Sequence, residues 1–191
     1  MTDNLNHRIC VFDVHSSEFV KNIGNGEGSG PGKLNWPRGL ALLRHGDQTL
    51  LFVCDNNHRI IVFDADTDEF LRDFGSKGSA NGQFKCPYAL TISTTSDPPM
   101  LYIADSGNHR IQVHAALTGE YARTIGHGQG SNLGQLDRPS GIKLVSLSNP
   151  AREWLIISDY GNYRVQIFDA VTGDPIKIIA KGSEPRDVAV Y

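Results

Sequence analysis

Asp105-Ser106-Gly107-Asn108-His109-Arg110-Ile111-Gln112-Val113 decides how this chain is read, because it is one of four copies. Asn6-His7-Arg8-Ile9, Asn57-His58-Arg59-Ile60 and Asn162-Tyr163-Arg164-Val165 repeat its centre, with the arginines 51, 51 and 54 residues apart. Other features keep step. Ser17, Asp68, Gly119 and Gly173 each precede an acidic residue, and Pro37, Pro87, Pro139 and Pro185 each precede a small apolar stretch. Self-similarity at such a period signals an array of supersecondary units that bury their faces against one another.

Each unit parses into four short segments. Gly39–Leu42, Leu51–Asp55, Arg59–Phe63 and Phe70–Gly75 represent them in the second copy. All are rich in β-branched and aromatic residues and bounded by turn residues, and nothing sustains a helical period. Four short antiparallel strands at this spacing are the pattern of a β-propeller blade, so the expected fold is all-β. The innermost strand should be crowded near the axis, which suits Gly39, Ala89 and Gly141. The outermost carries Lys21, Arg72, Arg123 and Lys177 at one position, read as charge that discourages edge pairing.

The 191 residues imply one domain, with blades over 3–24 (partial), 37–75, 87–126, 139–180 and 185–191 (partial). That register gives fifteen strands, closing as a four-blade ring or forming an arc of a larger ring, completed if need be by self-association. With 18 basic and 21 acidic residues, a net charge of −3 produces no strong global field toward nucleic acid or an anionic membrane. No apolar run could span a bilayer, and the first residues show no apolar segment of the kind a secretory signal needs. Three unevenly spaced cysteines, Cys10, Cys54 and Cys86, argue against a disulfide framework or a zinc site and for a reducing, cytoplasmic setting.

The Asp-to-Arg turn pairs Asp55 with Arg59, Asp105 with Arg110 and Asp159 with Arg164; its presence in every copy marks it as structural rather than catalytic. His7, His58 and His109, one per copy, form no metal cluster by spacing. Asp64–Asp68 fails as a calcium loop, since Glu69 and Gly75 stand where glycine and glutamate are needed. The glycine-rich Gly24–Lys33 lacks Walker spacing and a following helix. No catalytic residue, metal ligand or cofactor is assigned. Strand parity places the long glycine-rich loops on one end. There the residues that differ between copies flank the repeated prolines: Trp36 and Arg38, Cys86 and Tyr88, Arg138 and Ser140, and Arg186. Trp, Tyr and Arg are common interface anchors, so these are the candidate partner-binding residues.

The quoted nonapeptide, followed by Ile125-Gly126-His127-Gly128 and Gly134-Gln135-Leu136 before Pro139, resembles the NHL-repeat family, and the likeness covers nearly the whole chain. The second copy shortens the Asp-to-Arg gap, and Tyr163 replaces histidine. The resemblance implies a β-propeller. Members include interaction domains of tripartite-motif ubiquitin ligases, some of which bind RNA, and a peptide-amidating lyase, so membership alone names no activity. The favoured expectation is a non-catalytic scaffold presenting the glycine-rich-loop face to a protein or peptide. RNA binding through the same basic loops is second, and a fragment of a propeller lyase or hydrolase third.

Overall fold

The computed structural model describes residues 1–146, 152–182 and 184–188. Strands pair in chain order into four antiparallel sheets. The first holds β1 (Thr2–Asp3), β2 (Arg8–Phe12) and β3 (Phe19–Ile23); the second, β4 (Leu40–His45), β5 (Gln48–Asp55), β6 (Arg59–Asp64) and β7 (Phe70–Phe74). The third holds β8 (Pro87–Ser93), β9 (Met100–Asp105), β10 (Arg110–Ala115) and β11 (Tyr121–Ile125); the fourth, β12 (Pro139–Ser146), β13 (Glu153–Asp159), β14 (Arg164–Asp169) and β15 (Pro175–Lys181). One difference from the expected register is at the start: Thr2–Asp3 pairs with β2 as the end of a second strand. At the other end, Asp187–Val188 takes no strand geometry, and the remainder of that segment, 189–191, lies outside the described residues. No helix is long and apolar enough to cross a membrane among the described residues.

Side chains along a strand alternate faces, and here both faces are apolar. In β5, Leu51 and Val53 pack toward the first sheet with Ile9 and Ile23. Phe52 and Cys54 pack toward the third with Leu101 and Ile103. In β9, Tyr102 and Ala104 turn the other way, to Leu155 and Ile157 of the fourth sheet. Each fully buried aliphatic or aromatic side chain contributes about 1.5–3 kcal/mol, so three inter-sheet layers carry most of the stability. Burial also pushes the Cys54 thiol far above its ordinary range, leaving it an inert core group.

The sheets meet closely at their inner strands. A Cβ on Gly39 would stand 2.6 Å from the Ala89 Cα, and one on Gly141 2.5 Å from the Asp187 Cα. The outer strands work differently from the edge-guard expectation. Lys21 Nζ donates to the Ala65 and Asp66 carbonyls, Arg72 to Ala116 O, and Arg123 to Ala170 O, each reaching a turn of the following repeat. These cations tie one sheet to the next. Lys177 lies over the Trp154 ring instead.

His114 is 1% exposed, among the rings of Phe74, Phe84 and Tyr121. Its Nδ1 lies 2.9 Å from Gly119 O and carries the proton, because a carbonyl oxygen can only accept, while Nε2 has no partner among the described residues. Burial therefore holds its pKa below the ordinary value, and burial and Lys77 do the same for His58. The unfolded chain binds these protons first. Stability is thus full above the unfolded-state value near 6.5 and falls as pH drops from there to the folded-state values, by up to about 1.4 kcal/mol per pH unit per group. Urea titrations between pH 7.5 and 5 should show this slope, and His114→Leu should remove its share.

Candidate functional site

The face that could carry function is built on the Asp-to-Arg turns. Asp105 is fully buried. One carboxylate oxygen accepts the Lys85 N–H at 2.7 Å; the other accepts Asn108 Nδ2, Arg110 Nε at 2.8 Å and Gln112 Nε2. Arg110 then donates to the carbonyls of Ala80 and Gln83, and Asn108 to that of Gly78. Asp159 and Arg164 hold Ser131, Asn132 and Gln135 in the same way, and Asp55 and Arg59 hold Ser29 and Lys33. Burial pushes the Asp55 carboxyl up, against the Asn35 and Asn57 N–H groups and Arg59, which pull it down. In each case the pair pins a glycine-rich loop to the sheet, so the loops form a rigid rim.

A second device aligns the rim. His7, His58 and His109 are all left-handed, as are Trp36, Cys86 and Arg138 before the repeated prolines. Such backbone costs a non-glycine residue about 1–2 kcal/mol. Nδ1 of each histidine accepts the N–H of the corresponding pre-proline residue: Trp36 at 3.3 Å, Cys86 at 3.1 Å and Arg138 at 3.2 Å. A clasp thus joins each repeat to the next and fixes where the residues after the prolines point. Two of them, Tyr88 and Ser140, sit at a register break, between Pro87 and Leu90 in the third sheet and between Pro139 and Ile142 in the fourth. Bulges of this kind re-aim side chains.

The result is a pocket of about 290 Å³ lined by Arg38, Tyr88, Ser106, Arg138, Ser140, Tyr160 and Arg186. Five of the seven candidate residues meet in it. The other two do not. Trp36, 40% exposed, stands edge-on to His7, and Cys86 is half-buried with its N–H held by His58. The Arg38 guanidinium lies 4.6 Å above the Tyr88 ring, and those of Arg138 and Arg186 each lie 5.6 Å from the centre of Tyr160. Ser140 is buried and donates to Pro185 O, bracing the floor.

The guanidinium N–H groups are the available chemistry. Arg59, Arg110 and Arg164 spend theirs on loop carbonyls, whereas Arg38, Arg138 and Arg186 make no side-chain hydrogen bond to a described residue. Only Arg138 approaches an acid, Asp137, at 3.8 Å. Arg38 Nε is buried without a partner, a state that costs about 1–3 kcal/mol. No carboxylate lines the pocket.

Tyr160 and Ser106 were not among the expected residues. They follow the conserved-in-kind aspartates Asp159 and Asp105, at the position held by Asn4 and Asn56 in the other copies. Comparing the copies at the second-to-third-strand turn, which parity puts on the same end, would have found them. A larger cleft of about 820 Å³ lies between the first two sheets, lined by Ile9, Val11, Phe12, Leu40, Leu42 and Leu51 among others. It borders the two-residue β1 and offers mostly apolar surface, with little to orient a polar ligand. Among the described residues no three His, Cys, Asp or Glu side chains are grouped to hold a metal ion.

No family model matches the chain. Over 68 residues it is 43% identical to RING finger protein nhl-1 of Caenorhabditis elegans, a match covering 35% of this chain and 7% of that protein. Over 82 residues it is 39% identical to peptidyl-glycine alpha-amidating monooxygenase B of Xenopus laevis, covering 40% of this chain and 9% of that protein. The chain therefore corresponds to less than a tenth of either relative. Kuenenia stuttgartiensis hydrazine synthase shares the fold, with a TM-score of 0.63 at 18% identity over 93% of this chain and 44% of that one. The four-stranded sheets and the shared fold make the chain β-propeller-type, and its repeated phrase is similar to the sequence of an NHL-named protein over about a third of the chain.

Proposed function

We propose that the chain is a non-catalytic binding module that takes a protein or peptide partner on the glycine-rich-loop face, anchored in the arginine–tyrosine pocket. One observation carries this reading. Residues that differ between copies, and so are not needed by the scaffold, converge from three repeats and the terminal segment on one rigid depression. Stacked Arg and Tyr are strong interface anchors because a rigid aromatic face and a planar fork lose little freedom on binding. The free thiols of Cys10, Cys54 and Cys86 support a reducing, cytoplasmic setting for it.

Peptides selected from a random displayed library on the wild-type protein test the assignment. Arg38→Ala and Tyr160→Ala should each weaken selected peptides at least tenfold, about 1.4 kcal/mol, without shifting the thermal melt. Arg44→Ala is the control: exposed and six residues beyond Arg38, in β4, it should change nothing. Selected peptides indifferent to both pocket variants would place the interface elsewhere. RNA is the second reading, favoured by guanidinium and tyrosine faces side by side. It requires affinity that falls steeply with salt.

A further inference from the structure

We infer that the pocket's ligand is a phosphorylated side chain of the partner, held by Arg38, Arg138 and Arg186. The inference rests on the partner-binding reading above and names the chemistry it leaves open. Each guanidinium uses a face on a tyrosine ring. Stacking of that kind leaves the in-plane N–H fork available, the geometry that grips an oxyanion with two parallel hydrogen bonds. None of these three forks bonds another described side chain or carbonyl, and the pocket lining holds no carboxylate to neutralise them. Three like charges converge here and, among the described residues, only Arg138 has an acid within 4 Å, Asp137 at 3.8 Å, so cationic charge is in excess and the site favours an anion.

The number of forks selects the anion. A carboxylate has one charge and two oxygens, which a single arginine satisfies. A phosphate monoester carries about −1.5 to −2 at neutral pH and three terminal oxygens, enough for two or three forks. Tyr88 and Ser106 line the same 290 Å³ and add neutral hydroxyl donors, whereas the Tyr160 hydroxyl donates to Glu184. The distribution of charge argues against a nucleic-acid strand. A phosphodiester backbone needs cations strung along a groove, but here they converge at one point. Acidic Glu27, Asp137, Glu184 and Asp187 lie on the same loop end, where a continuous polyanion would have to pass them.

The test uses the whole chain, immobilised, and three degenerate peptide libraries alike except for a fixed central residue: phosphoserine, glutamate or serine. A random single-stranded RNA octamer is a fourth probe. The phosphoserine library should be retained at least tenfold above the other three, and Arg38→Ala and Arg186→Ala should each abolish that margin while Arg44→Ala keeps it. Thermal melts of the variants confirm that they fold. Equal retention of the phosphoserine and glutamate libraries, sensitive to Arg38→Ala, overturns the phosphate assignment but leaves the partner-binding reading standing. Retention of any library that ignores both arginine variants overturns both. RNA retained above phosphoserine with the same arginine dependence overturns the phosphopeptide assignment in favour of a nucleic-acid ligand.

Discussion

Replacing Asp105 with alanine should cost about 4 kcal/mol, because breaking a buried ion pair from one side leaves the other charge unpaired. The carboxylate accepts from Lys85 N–H, Asn108, Arg110 and Gln112 at once, and both it and Gln112 are fully buried. Alanine supplies no acceptor for any of these four donors. For a chain of this size the loss corresponds to a melting temperature lower by roughly 10 °C. Asp105→Asn should fall between, near about 2 kcal/mol, since the amide keeps one acceptor oxygen but turns donors toward Arg110. Urea unfolding monitored by tryptophan fluorescence measures both. A cost below about 1 kcal/mol for the alanine variant would mean that the pair behaves as an exposed surface bridge and does not hold the loop.

The second large effect is expected at Gly39. Its backbone φ is unremarkable, so the constraint is space alone. A Cβ there meets the Ala89 Cα at 2.6 Å, the Tyr88 carbonyl oxygen at 3.0 Å and the Leu90 nitrogen at 3.1 Å. All three are backbone atoms of the next sheet, which cannot rotate aside. The Gly39 N–H also donates to Tyr88 O at 2.9 Å, so parting the strands breaks that bond. Gly39→Ala should cost about 3 kcal/mol, the upper part of the range for overpacking. It should also act on the site. Arg38 and Tyr88 are stacked directly beside this contact, and separating β4 from β8 unstacks them. Peptide affinity and stability should therefore fall together for Gly39→Ala, whereas Arg38→Ala lowers affinity alone. Calorimetric melts beside peptide titrations would separate the two patterns. Preserved affinity in Gly39→Ala would show that the pocket does not depend on the sheet spacing.

Much of the fold was legible because its cause is local and repeated. The strands of each copy are short, apolar on both faces and spaced alike, and a strand apolar on both faces can only lie between two other layers, as Leu51 to Cys54 do. What was not legible depends on side chains meeting across repeats. Lys21, Arg72 and Arg123 read as edge charges, since nothing local shows that each reaches a carbonyl some 44 to 47 residues onward. The left-handed histidines were equally hidden: a positive φ leaves little trace in composition when the residue is not glycine. Of the site, the sequence marked positions without geometry. It could not show that Arg38 and Tyr88 stack while Trp36 and Cys86 face elsewhere, because that follows from a bulge and a pre-proline turn held by a distant imidazole. Tyr160 was missed for a narrower reason: the turn that carries it was read for its recurring Asp and Arg, not for the variable residue between them.

The histidine clasps carry one more consequence. Every link runs from a repeat to its immediate successor, as His7 to Trp36, His58 to Cys86 and His109 to Arg138 do, and none skips a unit. Cohesion in such a scaffold is a sum over adjacent pairs. Whole units can then be duplicated or deleted by recombination at the proline-led loops, with the surviving couplings untouched and no compensating change demanded inside any unit. The framework thus tolerates a change of length that the pocket does not, because its lining is drawn from three successive units and the loss of any one of them dismantles it.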